Sequence, residues 1–189
     1  MTFDRVTWPR RTERLSIRPL ETADLPTVFG YRSDPEVARW LPRHPTSYDA
    51  WLLQLDQAGM LGRTLVVERD SEIVGDLYLH VEDAWAQAEV AEVAKDSQAE
   101  IGWILSPDHQ GQGYATEAVA ELVRICFDDL ALRRLTAVAF ADNPASVRVM
   151  EKVGMRQEAV HRQESLHRDL GWLDSVVYAV LGDEWRTTR

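Results

Sequence analysis

A buried strand, a loop with two glycines and a long helix follow one another in this chain, and they constrain its fold more than any other stretch. The strand is IGWIL, residues 101–105, and the next residues read SPDHQGQGYATE. Gly111 and Gly113 lack side chains, which lets the backbone approach a neighbouring group or a ligand closely. The helix beginning near Ala115 directs its unpaired N–H groups towards the loop. Such a helix start attracts anions, so the stretch predicts a phosphate-bearing ligand held by backbone amides. The alternative is an ordinary turn in which glycine supplies a positive φ.

Length and composition predict one compact, soluble domain. The chain has 189 residues, of which 45% are hydrophobic and 28% charged. No apolar run approaches the roughly 20 residues that span a bilayer, and the first dozen residues lack the apolar core of a signal peptide. We therefore expect a cytoplasmic protein without a membrane partner, with a leader at residues 1–11, one domain at 12–185 and a tail at 186–189.

Charge and cysteine content limit the classes of partner and metal site that we expect. The net charge of −10 argues against a nucleic-acid partner and suits a cationic acceptor such as an amine. Cys126 is the only cysteine, which excludes an internal disulfide and a cysteine metal cluster, and its place in a helical apolar stripe predicts an inert buried thiol. The histidines are scattered without ligand spacing, so no metal is expected; they are His44, His80, His109, His161 and His167.

Hydrophobic periodicity predicts a mixed α/β (α+β) class with helices packed on a sheet. Thr22 and Ser47 are predicted to cap two early helices, and Pro35 to take the first position of another that restarts at residues 34–36. Asn143 and Gly154 are predicted to begin and close a late helix. Residues 82–98 form either a helical excursion or a mobile arm. The remaining predicted elements are strands at 15–20, 64–68, 73–81, 99–105, 134–140, 155–164 and 175–181, a helix at 116–130 and a turn-rich loop at 165–174.

Two motifs make the chain resemble the GNAT acyltransferase superfamily. The segment QGQGYA, residues 110–115, matches the acyl-CoA signature Gln/Arg-x-x-Gly-x-Gly/Ala, and residues 143–155 match a second signature in which Met155 stands where Phe is usual. Residues 12–20 resemble the opening strand of the branch that acetylates the N-termini of ribosomal proteins. A Walker or Rossmann nucleotide site is excluded, because the loop lacks the Gly-Lys-Ser/Thr ending and the third glycine.

The resemblance implies a central mixed, mostly antiparallel, splayed sheet flanked by helices, with acetyl-CoA as co-substrate and no metal. The backbone of the central strand would bond the pantetheine arm, and the loop amides and helix start would hold the pyrophosphate. By this likeness the cofactor-binding residues are Ile104, Leu105, Gln110, Gly111, Gln112, Gly113, Tyr114, Ala115, Thr116, Asn143 and Ser146.

The implied reaction is direct attack of a neutral primary amine on the acetyl-CoA thioester. It needs a base for the amine, a donor for the carbonyl oxygen, such as an N–H near Leu105, and an acid for the leaving thiolate. Met150 occupies the position where many members of the family carry the acidic tyrosine. The ribosomal branch carries a serine just after Asn-Pro-Ala, so we expect Ser146 to be the acid; the alternative is that Ser146 only solvates its helix start.

Three residues are candidates for the base. Glu164 comes first, since the matching strand of the ribosomal branch carries a glutamate. Glu100 on the central strand comes second, and its alternative is an edge carboxylate paired with an arginine such as Arg18. His80 comes third, although a lone strand histidine is more often a satisfied hydrogen-bond partner.

The acceptor is predicted to be a protein or peptide N-terminus or a small-molecule amine, and the sequence does not choose between them. Expected acceptor-site residues are Trp40, His80, Trp103, Trp172 and Asp174, with core packing as the alternative for the tryptophans. A homodimer is the default for such an enzyme. A different class remains open, namely a non-catalytic acyl-CoA-binding regulatory or interaction module, supported by the missing tyrosine.

Overall fold

The structure, a computed structural model, describes residues 2–57 and 59–187. In that part of the chain, eight strands form a mostly antiparallel sheet flanked by helices, which confirms the expected fold class. Met1 of the predicted leader and Thr188 and Arg189 of the predicted tail lie outside the described residues. The chain divides into two compact units, one containing Met1–Leu79 and Trp103–Leu122 and the other His80–Gly102 and Val123–Arg189. The single domain at 12–185 stays a prediction.

The first unit contains four antiparallel strands in sequence order: β1 (Arg10–Arg11), β2 (Ser16–Pro19), β3 (Thr64–Arg69) and β4 (Glu72–Glu82), the last of which continues beyond this unit. Three successive β3 residues, Leu65, Val66 and Val67, are fully buried, as expected of a strand covered on both faces. Asp70 and Ser71 have positive φ angles of 50° and 68°, which suit a tight hairpin turn. The predicted β3–β4 hairpin is confirmed.

The first unit contains three helices, of which the first and the last share a core with β3: α1 (Leu25–Arg32), α2 (Pro35–Ala38) and α3 (Tyr48–Gln57). The predicted start of α2 at Pro35 is confirmed, and the Asp34 carboxylate caps the helix by accepting the N–H groups of Glu36 and Val37. The predicted cap at Thr22 is wrong, because Thr22 begins a 3-10 turn that Glu21 caps ahead of α1. The shared core consists of Leu25, Val28, Tyr31, Trp51, Leu55 and Val66.

The second unit contains β5 (Gln98–Leu105) as far as Gly102, together with β6 (Arg134–Phe140), β7 (Arg156–His167) and β8 (Gly171–Leu181). β5 runs parallel to β6 and pairs with it only at residues 98–100, whereas β6 pairs antiparallel with β8 over its whole length. The short β5–β6 pairing agrees with the expected splay. Between β6 and β7 lies α6 (Pro144–Lys152), with Asn143 as its cap and Gly154 at φ +85° after its end, both as predicted.

The predicted loop at residues 165–174 is wrong, because β7 and β8 continue as one long hairpin. Ser165, Leu166 and His167 pair with Leu173, Trp172 and Gly171, leaving only a three-residue turn. The ring Nδ1 atom of His167 accepts the N–H groups of Asp169 and Leu170, and Gly171 has a φ of +79°. These contacts close the turn with side-chain acceptors that the local sequence pattern did not indicate.

Several predicted boundaries are corrected by the structure. The helix predicted at 116–130 is α5 (Tyr114–Arg124) followed by a π-helical turn at Ile125–Asp129. Cys126 in that turn is fully buried, which raises the pKa of its thiol and confirms the inert assignment. The excursion at 82–98 contains α4 (Ala91–Ala94), and the predicted tail begins inside α7 (Gly182–Thr187). No helix within residues 2–57 and 59–187 is long and apolar enough to cross a membrane.

Candidate active site

The glycine loop has the backbone that its sequence predicts. After β5 ends at Leu105, a 3-10 turn at Pro107–His109 leads into the loop. Gly111 and Gly113 have φ angles of +74° and +83°, a region that other residues enter only with strain. Gly113 then accepts the first backbone hydrogen bond of α5, from the N–H of Glu117 at 3.1 Å. The loop therefore delivers the chain directly into the helix start.

The loop and the first turn of α5 present a row of open backbone donors. Among the described residues, no hydrogen bond is made by the N–H groups of Gly111, Gln112, Gly113, Tyr114, Ala115 and Thr116. An open row of amides at a helix start, where the helix dipole is positive, suits an anion with several oxygens. A diphosphate fits this donor set, because each amide supplies one hydrogen bond without a side chain.

The buried side chain of Tyr114 packs at the junction of the glycine loop and α5. The residue is only 2% exposed, and two guanidinium groups lie near its ring, with the Cζ atoms of Arg14 and Arg69 at 4.7 Å and 5.3 Å from the ring centroid. Arg69 also donates to the Tyr114 hydroxyl. Each such cation–π contact stabilises by about 0.5–1 kcal/mol at exposed sites. The Tyr114 side chain is thus part of the framework, and only its backbone is available to a ligand.

The end of β5 is held against β4 by a close backbone approach. A Cβ atom on Gly75 would collide with the carbonyl oxygen of Ile104 and lie 3.1 Å from the Cα of Leu105. The N–H of Ser106 donates to the carbonyl of Val74 at 2.9 Å, which fixes the strand end from the same side. Gly75 therefore sets the position of Ile104 and Leu105, the residues expected to bond pantetheine. This role of Gly75 was not predicted, although a glycine inside a strand pattern signals a close backbone approach.

His109 lies in the turn before the glycine loop, and no role was predicted for it from the sequence. Its Nδ1 atom is buried and has no hydrogen-bond partner in the described part of the chain, and its Nε2 atom lies 3.9 Å from a carboxylate oxygen of Glu72. A buried nitrogen without a hydrogen-bond partner lowers the stability of the folded chain. His109 therefore places an unpaired polar atom directly before the glycine loop.

In the second unit, Asn143 and Ser146 form a reciprocal pair at the start of α6. The side-chain oxygen of Asn143 accepts the N–H of Ser146 at 3.2 Å, and its amide nitrogen donates to the Ser146 hydroxyl oxygen at 3.0 Å. The Ser146 hydroxyl donates to no other group within residues 2–57 and 59–187. Its proton therefore stays available for a further acceptor. Met150, at the usual tyrosine position, is fully buried.

The two candidate base carboxylates differ in electrostatic surroundings. Desolvation and the nearby Glu82 charge raise the pKa of Glu100 above the ordinary glutamate value, and His80 opposes them. The pKa of Glu164 is lowered, chiefly by the hydroxyl of Ser165 at 2.8 Å and then by that of Ser175 at 2.9 Å. A base with a pKa nearer neutrality is the better match to proton abstraction at physiological pH.

A bulge explains the surroundings of Glu164. Between the pairs His161–Ser175 and Ser165–Leu173, residues 162–164 oppose Asp174 alone, and Gln163 has a φ of +46°. The Asp174 carboxylate accepts the N–H of Gln163 at 2.9 Å and pairs with Arg162 at 2.7 Å. The Gln163 hydrogen bond is the main cause of the lowered pKa of Asp174. Asp174 is thus engaged in holding the bulge, a role that spacing alone did not indicate.

The other predicted acceptor residues are distributed over both units. In the first unit, Trp103 is half-buried, and Trp40 is half-buried with the Arg39 guanidinium 5.0 Å from its ring centroid. In the second, His80 is half-buried and Trp172 is 59% exposed on the β7–β8 hairpin. The exposed Trp172 ring is not a core residue, so the core-packing alternative does not apply to it.

Sequence comparison assigns the chain to a known group. The family described as "Acetyltransferase (GNAT) domain" matches residues 14–156. The "Uncharacterized N-acetyltransferase YnaD" of Bacillus subtilis is 29% identical over 92% of this chain and 97% of that protein. The "Uncharacterized N-acetyltransferase YoaA" of the same organism is 30% identical to this chain, over 90% of this chain and 94% of that protein. A "Putative ribosomal N-acetyltransferase YdaF", also from B. subtilis, is 25% identical over 92% and 94%.

Structural comparison gives the same result. An acetyltransferase of the GNAT family from Bacillus anthracis superposes with a TM-score of 0.77 at 29% identity, covering 92% of this chain and 98% of that one. Spermidine N-acetyltransferase from Vibrio cholerae, solved with CoA and spermine, also has a TM-score of 0.77, at 20% identity over 93% and 99% of the two chains. The second likeness shows a shared fold.

Proposed function

This chain belongs to the GNAT acetyltransferase family, and we propose that it transfers an acetyl group from acetyl-CoA to a primary amine at a peptide N-terminus or on a small molecule. The observation that carries the proposal is the row of open amides from Gly111 to Thr116 at the start of α5. This donor set suits the diphosphate of CoA. The CoA in the Vibrio cholerae structure, which has the same fold, supports the same donor here.

We assign the donor contacts to backbone groups. The backbone N–H groups of Gly111, Gln112, Gly113, Tyr114, Ala115 and Thr116 would donate to the phosphates. Gln110, whose own N–H donates to the Pro107 carbonyl, would contribute through its side chain, and Asn143 with the start of α6 would contact pantetheine. Ile104 and Leu105, positioned by Gly75, would bond the pantetheine arm as a neighbouring strand does, and an N–H near Leu105 would stabilise the carbonyl oxygen. The co-substrate supplies the activated acetyl group; the chain supplies orientation and proton transfer.

In the reaction, the amine nitrogen forms a bond to the acetyl carbon while the carbon–sulfur bond breaks. The amine proton passes to a base, for which we propose Glu100 ahead of Glu164 because the pKa of Glu100 is raised and that of Glu164 is lowered. The CoA sulfur takes a proton from Ser146, whose hydroxyl accepts from Asn143 and keeps its own proton available. His80 stays a third candidate for the base.

For the acceptor, we propose that the exposed ring of Trp172 contributes to recognition of a cationic amine. Trp40, Trp103 and Asp174 stay predicted acceptor residues, the last of them paired with Arg162. The net charge of −10 supports a positively charged acceptor. We also propose a cytoplasmic location, because the enzyme must have access to acetyl-CoA. We propose a homodimer because that is the most common oligomeric state of soluble enzymes.

Thiol release from acetyl-CoA tests the proposal. The purified chain is given a panel of amines that includes peptides beginning with Ala or Ser, polyamines and free amino acids, and CoA binding is titrated separately. We expect at least one amine to raise thiol release above the rate of hydrolysis in buffer. If CoA binds but no amine raises thiol release, catalysis is refuted and the non-catalytic acyl-CoA-binding module is the remaining function.

A further inference from the structure

The N-terminal segment is fastened to α5 through the carboxylate of Glu117. One carboxylate oxygen accepts the Thr12 hydroxyl at 2.6 Å and the Arg14 N–H at 2.9 Å. The other accepts the Arg14 Nε at 2.7 Å and lies 2.6 Å from Arg14 Nη2. Burial raises the pKa of Glu117, but the hydrogen bonds from Thr12 and Arg14 outweigh burial and bring it below the usual value. Glu117 therefore stays ionised and holds the Arg14 side chain in one orientation.

From Glu117, the same guanidinium reaches the glycine loop. Arg14 Nη1 donates to the carbonyl oxygen of Gln112 at 3.0 Å. A Cβ atom on Gly113 would lie 3.4 Å from Arg14 Nη2, and the Tyr114 ring lies under the guanidinium. Arg14 thus contacts Gln112 in the loop and Tyr114 at the start of α5, while its side chain keeps 42% of its surface exposed. The planar fork of arginine makes this bridging possible, since its donors point in fixed directions.

The contact with the Gln112 carbonyl has a consequence for the next amide. In a trans peptide unit, the C=O and the N–H point in opposite directions. Fixing the Gln112 carbonyl towards Arg14 therefore directs the Gly113 N–H away from Arg14, and that N–H has no acceptor among the described residues. Rotation of this peptide would turn a carbonyl, which repels phosphate, towards the site.

We propose that Arg14 is a positioning residue for the anion site: it ties the Gln112 carbonyl to Glu117 and so aims the Gly113 N–H at the phosphates of the donor. This inference rests on the proposed function and adds to it a residue 98 positions away from the loop that it orders. Its positive charge also lies beside the loop, where it favours an anionic ligand.

The test separates phosphate binding from chemistry. Acetyl transfer is measured for wild type, Arg14→Gln and Arg14→Lys, with acetyl-CoA and with S-acetylpantetheine, which lacks phosphates. We expect Arg14→Gln to raise KM for acetyl-CoA and the Kd for CoA about tenfold, the effect of one lost charge-assisted hydrogen bond, while kcat stays within twofold. KM for S-acetylpantetheine stays unchanged. Arg14→Lys keeps the charge but cannot span both acceptors, so its KM for acetyl-CoA also rises.

Arg10→Gln is the matched control, because Arg10 pairs with Glu121 at 3.0 Å one turn further along α5. It removes a comparable ion pair, and we expect its KM for acetyl-CoA to stay within twofold of wild type. Equal CoA affinity in Arg14→Gln and wild type would overturn the proposal. So would full rescue by Arg14→Lys, an equal loss in Arg10→Gln, or an equal loss with S-acetylpantetheine. Failure of the wild-type chain to bind CoA would instead refute the proposed function.

Discussion

Gly75 and Ile104 approach each other so closely that a single added methyl group on Gly75 would strike the Ile104 carbonyl oxygen. The contact joins two backbones, which cannot rotate away as a flexible side chain can. Because Ile104 and Leu105 are the proposed partners of pantetheine, the fit at Gly75 links stability to donor binding.

Gly75→Ala is expected to destabilise the fold and weaken CoA binding together. Overpacking of this kind costs about 1–3 kcal/mol in the free energy of unfolding, measured by chemical denaturation. CoA affinity, measured by titration calorimetry, should fall as the strand end shifts. Gly30→Ala is the control: a Cβ atom there meets nothing within 4 Å, and alanine favours the helix by about 0.5–1 kcal/mol. Unchanged stability in Gly75→Ala would contradict the close approach.

Ser146→Ala is expected to lower kcat at least tenfold, the low end of a general-acid effect, without raising KM for acetyl-CoA more than about twofold. The reason is the hydroxyl proton that the Asn143 contact leaves available. Steady-state kinetics measures both parameters. An unchanged kcat would remove the acid role and leave Ser146 with a structural role at the start of α6.

Glu100→Gln is expected to lower kcat about 10²-fold, as loss of a general base does. Since the base acts when deprotonated, wild-type kcat/KM should rise with pH through a pKa above the ordinary glutamate value of about 4.3, given the raised pKa of Glu100. The variant should lose this acid limb. Glu164→Gln is the comparison: loss of the limb in that variant alone would assign the base to Glu164.

Glu117→Gln is expected to lower stability at pH 7 by about 1–2 kcal/mol through its lost charge-assisted hydrogen bonds. The pKa of Glu117 is lowered in the folded state, so its contribution is complete above the unfolded value and disappears as pH falls through the folded value. Urea denaturation should therefore show that the free energy of unfolding falls less between pH 7 and pH 3 in Glu117→Gln than in wild type. Glu13→Gln, which removes a charge from the same N-terminal segment, is the control.

Asp76→Ala is expected to destabilise the chain by about 3–5 kcal/mol, because it leaves the Arg32 guanidinium, whose side chain is only 14% exposed, without its partner. The Asp76 carboxylate is 1% exposed, pairs with Arg32 and accepts the Tyr31 hydroxyl at 2.6 Å. Calorimetric unfolding measures the change. Asp70→Ala, at the exposed hairpin turn, is the matched control, and a similar loss in both variants would argue against the buried pair.

Local signals predicted the parts of the fold that depend on a few consecutive residues. Asn143 before Pro144 and Gly154 after the last turn defined α6, because caps act within one turn of a helix. The two loop glycines have the positive φ angles that the ordinary-turn alternative gave them. The boundaries of β7 and β8 were missed, since their extension to His167 and Gly171 depends on pairing across the hairpin.

The supports of the candidate site depend on contacts between residues far apart in the chain. Arg14 and Gln112, or Gly75 and Ile104, meet only after the chain has folded, and no periodicity in the sequence links them. The relative basicity of Glu100 and Glu164 also depended on neighbours, since hydroxyls of Ser165 and Ser175 surround one of them. Residue types indicated the chemistry, whereas the folded chain determined which groups support it.

The burial of Cys126 keeps the thiol of this chain from being acylated by its own co-substrate. An enzyme that handles thioesters would acylate any reactive thiolate of its own by exchange, in which the thiolate takes the acetyl group and the CoA thiolate leaves. With its only cysteine fully buried and the pKa of that thiol raised, this chain offers no such target. Free thiol that accumulates during turnover therefore comes from the released co-substrate, and a thiol-reactive dye counts acetyl transfers directly.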